Sequence, residues 1–312
     1  MQYRMVDKDG FLEKLDAFSE LYELCFRQPM NHREILWRYF HSPYDGLFAC
    51  FAFENGKFVA NYSVAPIELR IYGHVFPAAL SLNTMTHPDF GGRGLFVQLA
   101  DRVYHKLQNQ GYKMVIGFPN RISNRTFLTK LGWHDIYEIP TMRKDLEGIS
   151  CPGSSPMVTV DNHFLLDYSS CMRNDKICVN KTDEYLRWRF WQKPSEEYVN
   201  FVIQEPDGHA SARMVCKEYK NFFNIVDFAG AVPEAFEELL RHVISHASLQ
   251  GKNCLTLWAQ IGRTEHLILE KYGFYHSLPV TYFGMRPLNE IPGIDCLQYG
   301  NWDIHMCDDN VY

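Results

Sequence analysis

Nowhere does this 312-residue chain approach the roughly 20 consecutive apolar residues of a membrane-crossing helix, so no membrane insertion is expected. Its opening residues, MQYRMVDKDGFLEKLDAF, carry charges throughout and lack the apolar core of a secretory leader. The nine cysteines stand singly, without a C-x-x-C pair, and Cys25 and Cys50 sit among apolar neighbours. That is the pattern of reduced, buried thiols, and it points to the cytoplasm. An excess of positive charge is also missing: 31 Lys and Arg face 37 Asp and Glu, a net charge of −6. A nucleic-acid surface is therefore not expected, and an anionic ligand must be met by local groups and backbone donors. Neither a G-K-[ST] phosphate loop nor a G-x-G-x-x-G turn occurs. No metal is expected.

What the chain does have is a duplication, and its length suits two domains. Trp37-Arg38-Tyr39 matches Trp188-Arg189-Phe190, and each tryptophan precedes a proline, Pro43 or Pro194, by six residues. Both segments read as a short helix stopped ahead of proline. A hairpin signal follows each: Asn55-Gly56 between apolar runs in the first copy, Pro206-Asp207-Gly208 in the second. A helix then leads to an apolar strand, Met114–Phe118 or Cys254–Trp258. Each copy closes on an amphipathic helix, a glycine and an aromatic residue, at Lys130-Leu131-Gly132-Trp133 and Lys271-Tyr272-Gly273-Phe274. Domains over 1–148 and 157–312, joined by a Gly/Ser/Pro-rich linker at 149–156, are the expected organisation.

The chemistry concentrates in the first copy. Pro77–Thr86 reads as a buried strand that ends at His87-Pro88-Asp89-Phe90-Gly91-Gly92-Arg93-Gly94-Leu95-Phe96. A helix begins at Leu95, with Leu99, Val103 and Leu107 at helical spacing. Strand, glycine-rich turn and helix start together form an anion site. Glycine lets the backbone approach a ligand, the amides around Gly92, Arg93 and Gly94 can point at a diphosphate, and the helix dipole adds its attraction. The second copy lacks this turn. Pro88 lies 23 positions before Gly111, whereas Pro233 lies only 18 before Gly251. Asp227 and Glu234 stand near that shortened turn, where they would repel a diphosphate.

The run Gly91–Phe96, followed by Lys130–Trp133, resembles the coenzyme-binding motif and the lysine-x-glycine-aromatic segment of the GNAT superfamily of acyl-CoA N-acyltransferases. Gly91 stands where that family usually has Arg or Gln, and Phe96 where it has a small residue. The resemblance implies an α/β (α+β) fold of two tandem domains, each a mixed, mainly antiparallel twisted sheet flanked by helices. It implies acyl-CoA as co-substrate, held by Met85, Thr86, Gly91, Gly92, Arg93, Gly94, Leu95, Asn120 and Ser123. Asn120 would contact the pantetheine arm, or cap a helix, or both. A backbone amide near Met85 or Thr86 would polarise the thioester carbonyl.

Asn83, Thr84 and His87 fall where the family places catalytic groups. His87 is the favoured base, its alternative being a loop histidine that caps the strand. The tandem plan, the two Trp-Arg-aromatic helices and the acidic-aromatic tail from Trp302 resemble bacterial sugar N-acyltransferases. These act on an amine of a nucleotide-linked, typically thymidine-diphosphate-linked, dideoxy sugar for surface polysaccharide. Trp37, Arg38 and Arg189, with Arg33, would meet that acceptor, or the arginines simply pair with Glu34 and Glu184. The second copy would wall the acceptor pocket, in a monomer or homodimer. Three further readings stay open: another small amine as acceptor, covalent transfer through a cysteine, and a binding module without catalysis.

Overall fold

Asn55 and Gly56 both take the left-handed conformation that a two-residue hairpin demands, with φ of 51° and 81°. Around such turns the chain builds its strands. In the computed structural model, which describes residues 1–148, 153, 155–194, 196–230 and 232–309, the order begins β1 (Gln2–Val6), α1 (Lys8–Leu12), α2 (Leu15–Phe26), α3 (His32–Phe40). It continues β2 (Phe48–Glu54), β3 (Lys57–Ile71), β4 (His74–Thr86), α4 (Leu95–Asn109), β5 (Met114–Gly117), α5 (Arg121–Lys130) and β6 (His134–Asp145). The second half runs β7 (Val158–Val160), β8 (Ile177–Val179), α6 (Asp183–Leu186), β9 (Tyr198–Gln204), β10 (Ala210–Tyr219) and β11 (Phe222–Gly230). It ends with α7 (Pro233–Leu249), β12 (Cys254–Trp258), α8 (Thr264–Lys271) and β13 (Tyr275–Pro287).

The repeat is visible in the topology. β2-β3-β4-α4-β5-α5 corresponds to β9-β10-β11-α7-β12-α8, with an antiparallel meander and one parallel pair in each copy. The fold is the mixed, mainly antiparallel α/β plan expected. α6 is only one turn long, and Arg187–Trp191 continues it as a wider π-type turn.

Contacts divide the chain into two units: residues 1–69, 75–137 and 282–300, and residues 70–74, 138–281 and 301–312. The units therefore do not part at the expected 149–156 linker, of which 149–152 and 154 lie outside the described residues. Strand pairing overrides sequence adjacency. Residues 141–145 of β6 pair with β12 in the second unit, and residues 284–287 of β13 pair with β5 in the first. The first unit's sheet thus has the order β1-β2-β3-β4-β5-β13, and the second β6-β12-β11-β10-β9-β7.

In the first unit, Leu95, Leu99, Val103, Tyr104 and Leu107 of α4 pack on Cys50, Val59, Tyr62 and Val115 of the sheet. On another cluster Phe11, Phe18, Ile35 and Tyr39 meet Phe51 and Met85. In the second, Leu239, Leu240, Val243 and Ala247 of α7 pack on Met214, Phe223 and Leu255. The eight described cysteines are all free and six are buried. Among the described residues no helix is long and apolar enough to cross a membrane.

Candidate active site

In the first unit β4 and β5 run parallel but pair only at Ala79–Val115 and Leu80–Ile116. β5 ends at Gly117 while β4 continues to Thr86, so beyond Leu80 the strands part. Asn83 bends β4 at this point, with a φ of 32° that is costly for a residue bearing a Cβ. Its surroundings hold it there. Asn61 Nδ2 donates to the Asn83 carbonyl at 2.7 Å, and Asn83 Nδ2 donates to the Tyr39 hydroxyl at 3.0 Å. Tyr39 in turn bonds Ser63 at 2.7 Å.

A second buried network stiffens the closed end of the split. The Tyr104 hydroxyl meets that of Tyr62 at 2.8 Å and accepts from Trp133 Nε1 at 2.9 Å. Gly117 is required here, because a Cβ would lie 3.1 Å from the Trp133 ring and 3.2 Å from Ser81.

At the open end, the His87 amide donates to the Val59 carbonyl at 2.8 Å and so faces β3. Amides alternate edges along a strand, so Met85 also faces β3, while the N–H and C=O of Thr86 face the edge that β5 has left. The turn after β4 is exposed from Gly91 to Gly94. Gly91 donates to Pro88 at 3.1 Å, but the amides of Gly92, Arg93, Gly94 and Leu95 donate to no described protein acceptor. Gly92 and Gly94 have φ of 74° and 72°. A Cβ on Gly92 would touch nothing, and one on Gly94 only Gln98 Nε2 at 3.8 Å. α4 begins directly after Gly94, with no side-chain cap and no acidic residue in its first turn. Free amides, an uncapped helix start and open space above the glycines make an anion cradle.

Residues 11–136 match the family model of the acetyltransferase (GNAT) domain. This stretch is similar to that family's domain. No curated protein matches the sequence. Among solved structures, a probable N-acyltransferase from Enterococcus faecalis V583 is similar over 92% of this chain and 72% of its own, at 13% identity and a TM-score of 0.71. A GCN5-related N-acetyltransferase from Anabaena variabilis covers 92% and 73%, at 10% identity and a TM-score of 0.67. Saccharomyces cerevisiae N-myristoyltransferase with bound myristoyl-CoA covers 91% and 78%, at 12% identity and a TM-score of 0.62.

Within this stretch the expected residues separate into those at the split and those held elsewhere. Thr84 and Thr86 are half-buried at the parting of the strands, whereas the Met85 side chain is core. Each ring nitrogen of His87 has a donor beside it, and a neutral imidazole accepts from only one of them. Nδ1 accepts from the Asp89 amide at 3.3 Å, capping a short 3₁₀ turn, and Nε2 lies 3.0 Å from Lys57 Nζ. The ring is held as a cap. Asn120 caps α5, its Oδ1 accepting from Ile122 and Ser123 at 3.0 and 2.9 Å, and the Ser123 hydroxyl donates back to Asn120. Arg93 lies over the Phe90 ring at 4.7 Å, and Phe96 finds room against Tyr62 and Phe127.

The residues expected to meet the acceptor lie mostly in packed surroundings. Trp37 and Arg38 are buried in α3, with Glu34 4.0 Å from Arg38, and only Arg33 of that group is exposed. In the second unit Arg189 is buried and donates to the carbonyls of Cys307 and Asp309 and to the Tyr198 hydroxyl at 3.1–3.2 Å. A Trp-Arg-aromatic pattern at helical spacing puts the arginine on the packed face as readily as on a site. Arg189→Gln should therefore cost about 3 kcal/mol of unfolding free energy, since it strips donors from three acceptors, two of them buried. Urea denaturation measures this, and unchanged stability would return Arg189 to the site.

The sequence gives no hint of Cys25. Its thiol, 61 residues from Thr86 in the chain, reaches the Thr86 carbonyl at 3.5 Å. Burial pushes that thiol up from its ordinary value, so it is not a ready thiolate for covalent transfer.

The second unit repeats the split without the cradle. β11 and β12 pair only from Phe222–Cys254 to Asn224–Thr256, and β11 runs on to Gly230. α7 starts at Pro233, leaving no glycine turn, and Glu234 stands in its first turn. The parting is filled by the chain's own end. His305 stacks on Phe228 at 4.3 Å with Nδ1 3.1 Å from the Phe228 amide nitrogen, and Arg263 holds Asp303 at 2.7 Å and the Trp302 carbonyl at 3.0 Å. Asp227 does not stand at the helix mouth as expected. It is buried in β11, 2.8 Å from Lys181 and 2.9 Å from His305, and bonded to Arg213. Asn310, Val311 and Tyr312 of the tail lie outside the described residues.

Proposed function

We propose that the chain is an acyl-CoA-dependent N-acyltransferase whose donor site is the split and glycine turn of the GNAT domain. The observation that carries this is the set of amides at Gly92, Arg93, Gly94 and Leu95, without described protein acceptors, where the exposed turn enters α4. They suit the diphosphate of coenzyme A, and the exposed Arg93 supplies a charge beside them. The pantetheine arm would lie along the edge of β4 that β5 leaves, with Asn120 at its far side. When bound, the coenzyme supplies the thioester.

The protein's part is alignment and polarisation. The Thr86 amide would donate to the acyl carbonyl and strengthen as negative charge develops on its oxygen. The neutral acceptor amine would attack the thioester carbon, the C–S bond would break to release coenzyme A as its thiolate, and the amine's proton would pass by Thr84 or Thr86 and water to solvent, since Asn83 and His87 make structural contacts. Their commitment also favours a second reading, a module that binds acyl-CoA without turnover.

For the acceptor, the duplicated plan supports an amino-dideoxy sugar linked to a nucleotide, with another small amine as the alternative. One assay addresses every reading: the full chain with acetyl-CoA and a panel of amino-sugar nucleotides and simple amines, followed by free-thiol release. Release with sugar nucleotides alone supports the finer reading, and release with another amine only would replace it. Tight CoA binding without release from any amine would make the protein a binding module.

A further inference from the structure

We propose that His266, Glu270 and His276 of the second unit form a site for one divalent transition-metal ion, with zinc as the probe. None of the three has a part in the acyl-transfer reading. His266 and Glu270 lie one turn apart on α8, at the i and i+4 positions that share a helix face. Gly273, with φ of 79°, ends that helix and turns the chain straight into β13, which brings His276 back beside it. The two imidazole rings stand 5.2 Å apart, centroid to centroid.

One ligand atom from each of the three falls within 4.8 Å of the others. His266 Nε2 is 3.4 Å from Glu270 Oε1. Two ligands bound at about 2.0–2.1 Å to a tetrahedral ion stand roughly 3.3 Å apart, so this pair already has the required spacing. Glu270 and His276 are exposed, and their side chains can close the remaining gap by rotation. Two imidazoles and one carboxylate are a donor set that suits zinc, cobalt, nickel or copper, with water completing the shell.

The surroundings of His266 supply an independent argument. The residue is only 4% exposed, yet its Nδ1 has no hydrogen-bond partner. Gln260 Nε2, also without one, lines the same small cavity. Buried polar atoms left unpaired call for an ion or water. A metal on Nε2 fixes the tautomer with the proton on Nδ1, directed to the hydration of that cavity. An ordinary helical His–Glu pair would explain Glu270 but not the second imidazole beside it.

The test uses the full chain stripped with a chelator, then titrated with Zn²⁺ and, separately, with Co²⁺ as a visible probe. The expected result is one equivalent bound per chain, a Co²⁺ absorption band and a melting temperature that rises with Zn²⁺ and falls again with EDTA. His276→Ala and Glu270→Gln, both at exposed positions, should each weaken binding at least tenfold without changing the melting curve of the metal-free chain. The cysteines offer rival ligands. Uptake equal in wild type and both variants would assign the ion to them and overturn the site, as would no uptake by the wild-type chain.

Discussion

Replacing Gly94 by Asp should remove CoA binding by about a hundredfold or more while the chain still folds. The substitution places a carboxylate where the Gly92–Leu95 amides and the start of α4 present positive potential. Two like charges about 4 Å apart in a partly shielded site repel by up to about 4 kcal/mol, and about 2.7 kcal/mol suffices for a hundredfold. The folding cost is small by comparison. No atom but Gln98 Nε2, at 3.8 Å, stands near a Cβ at this position. The left-handed φ costs an aspartate about 1 kcal/mol, and its side chain can cap the helix. Gly94→Ala separates the two effects: it carries the same backbone strain without the charge and should bind within about tenfold of wild type. Calorimetric titration with CoA, alongside thermal melts, reads both. Wild-type affinity in Gly94→Asp would remove the turn from the donor site.

Asp227→Ala should be the most damaging single change in the second unit. It leaves Lys181, Arg213 and His305 facing one another in the interior without the carboxylate that joins them. Breaking a buried ion pair by removing one partner costs about 3–5 kcal/mol, a large part of the 5–15 kcal/mol that holds a domain folded. Hydrogen exchange over β11 should rise by two orders of magnitude or more. Protection equal to wild type would show that the cluster contributes nothing to the fold.

The same cluster sets a pH window. Burial works to raise the Asp227 carboxyl, but the charges of Arg213 and Lys181 outweigh it and hold it well below the usual carboxylate range. Burial works to lower His305, yet Asp303 and the bonds to both carboxylates hold it above its ordinary value. The carboxylate's contribution is present above about pH 3.9 and is lost as pH falls through its folded value. The imidazole's is complete below about pH 6.5 and is lost as pH rises through its folded value. Unfolding free energy of the second unit should therefore be greatest between these limits.

The duplication, the hairpins, the helix from Leu95 and the glycine turn were legible because each rests on local chemistry. Asn-Gly and Gly-x-Gly declare left-handed backbone, and apolar spacing declares a helix face, without reference to the rest of the chain. Residue roles were less legible for a related reason. A histidine at a strand end reads equally as base or cap, and the Asp89 amide and Lys57 beside His87 are neighbours that the sequence does not announce. Arginine on a mixed helix gives no sign of which face is packed. Arg189 proved to be bound by carbonyls of residues more than a hundred positions away.

By itself the sequence determined the run of strands and helices, the repeat, and the glycine turn ahead of α4, since these depend on neighbours within a turn or two. Tertiary structure alone decided that residues 141–145 of β6 pair with β12, that residues 284–287 of β13 pair with β5, that Cys25 reaches Thr86, and that residues 302–308 fill the second split. Each of those is a contact between segments distant in the chain, set by which edges and cavities remain unfilled once the local elements have packed.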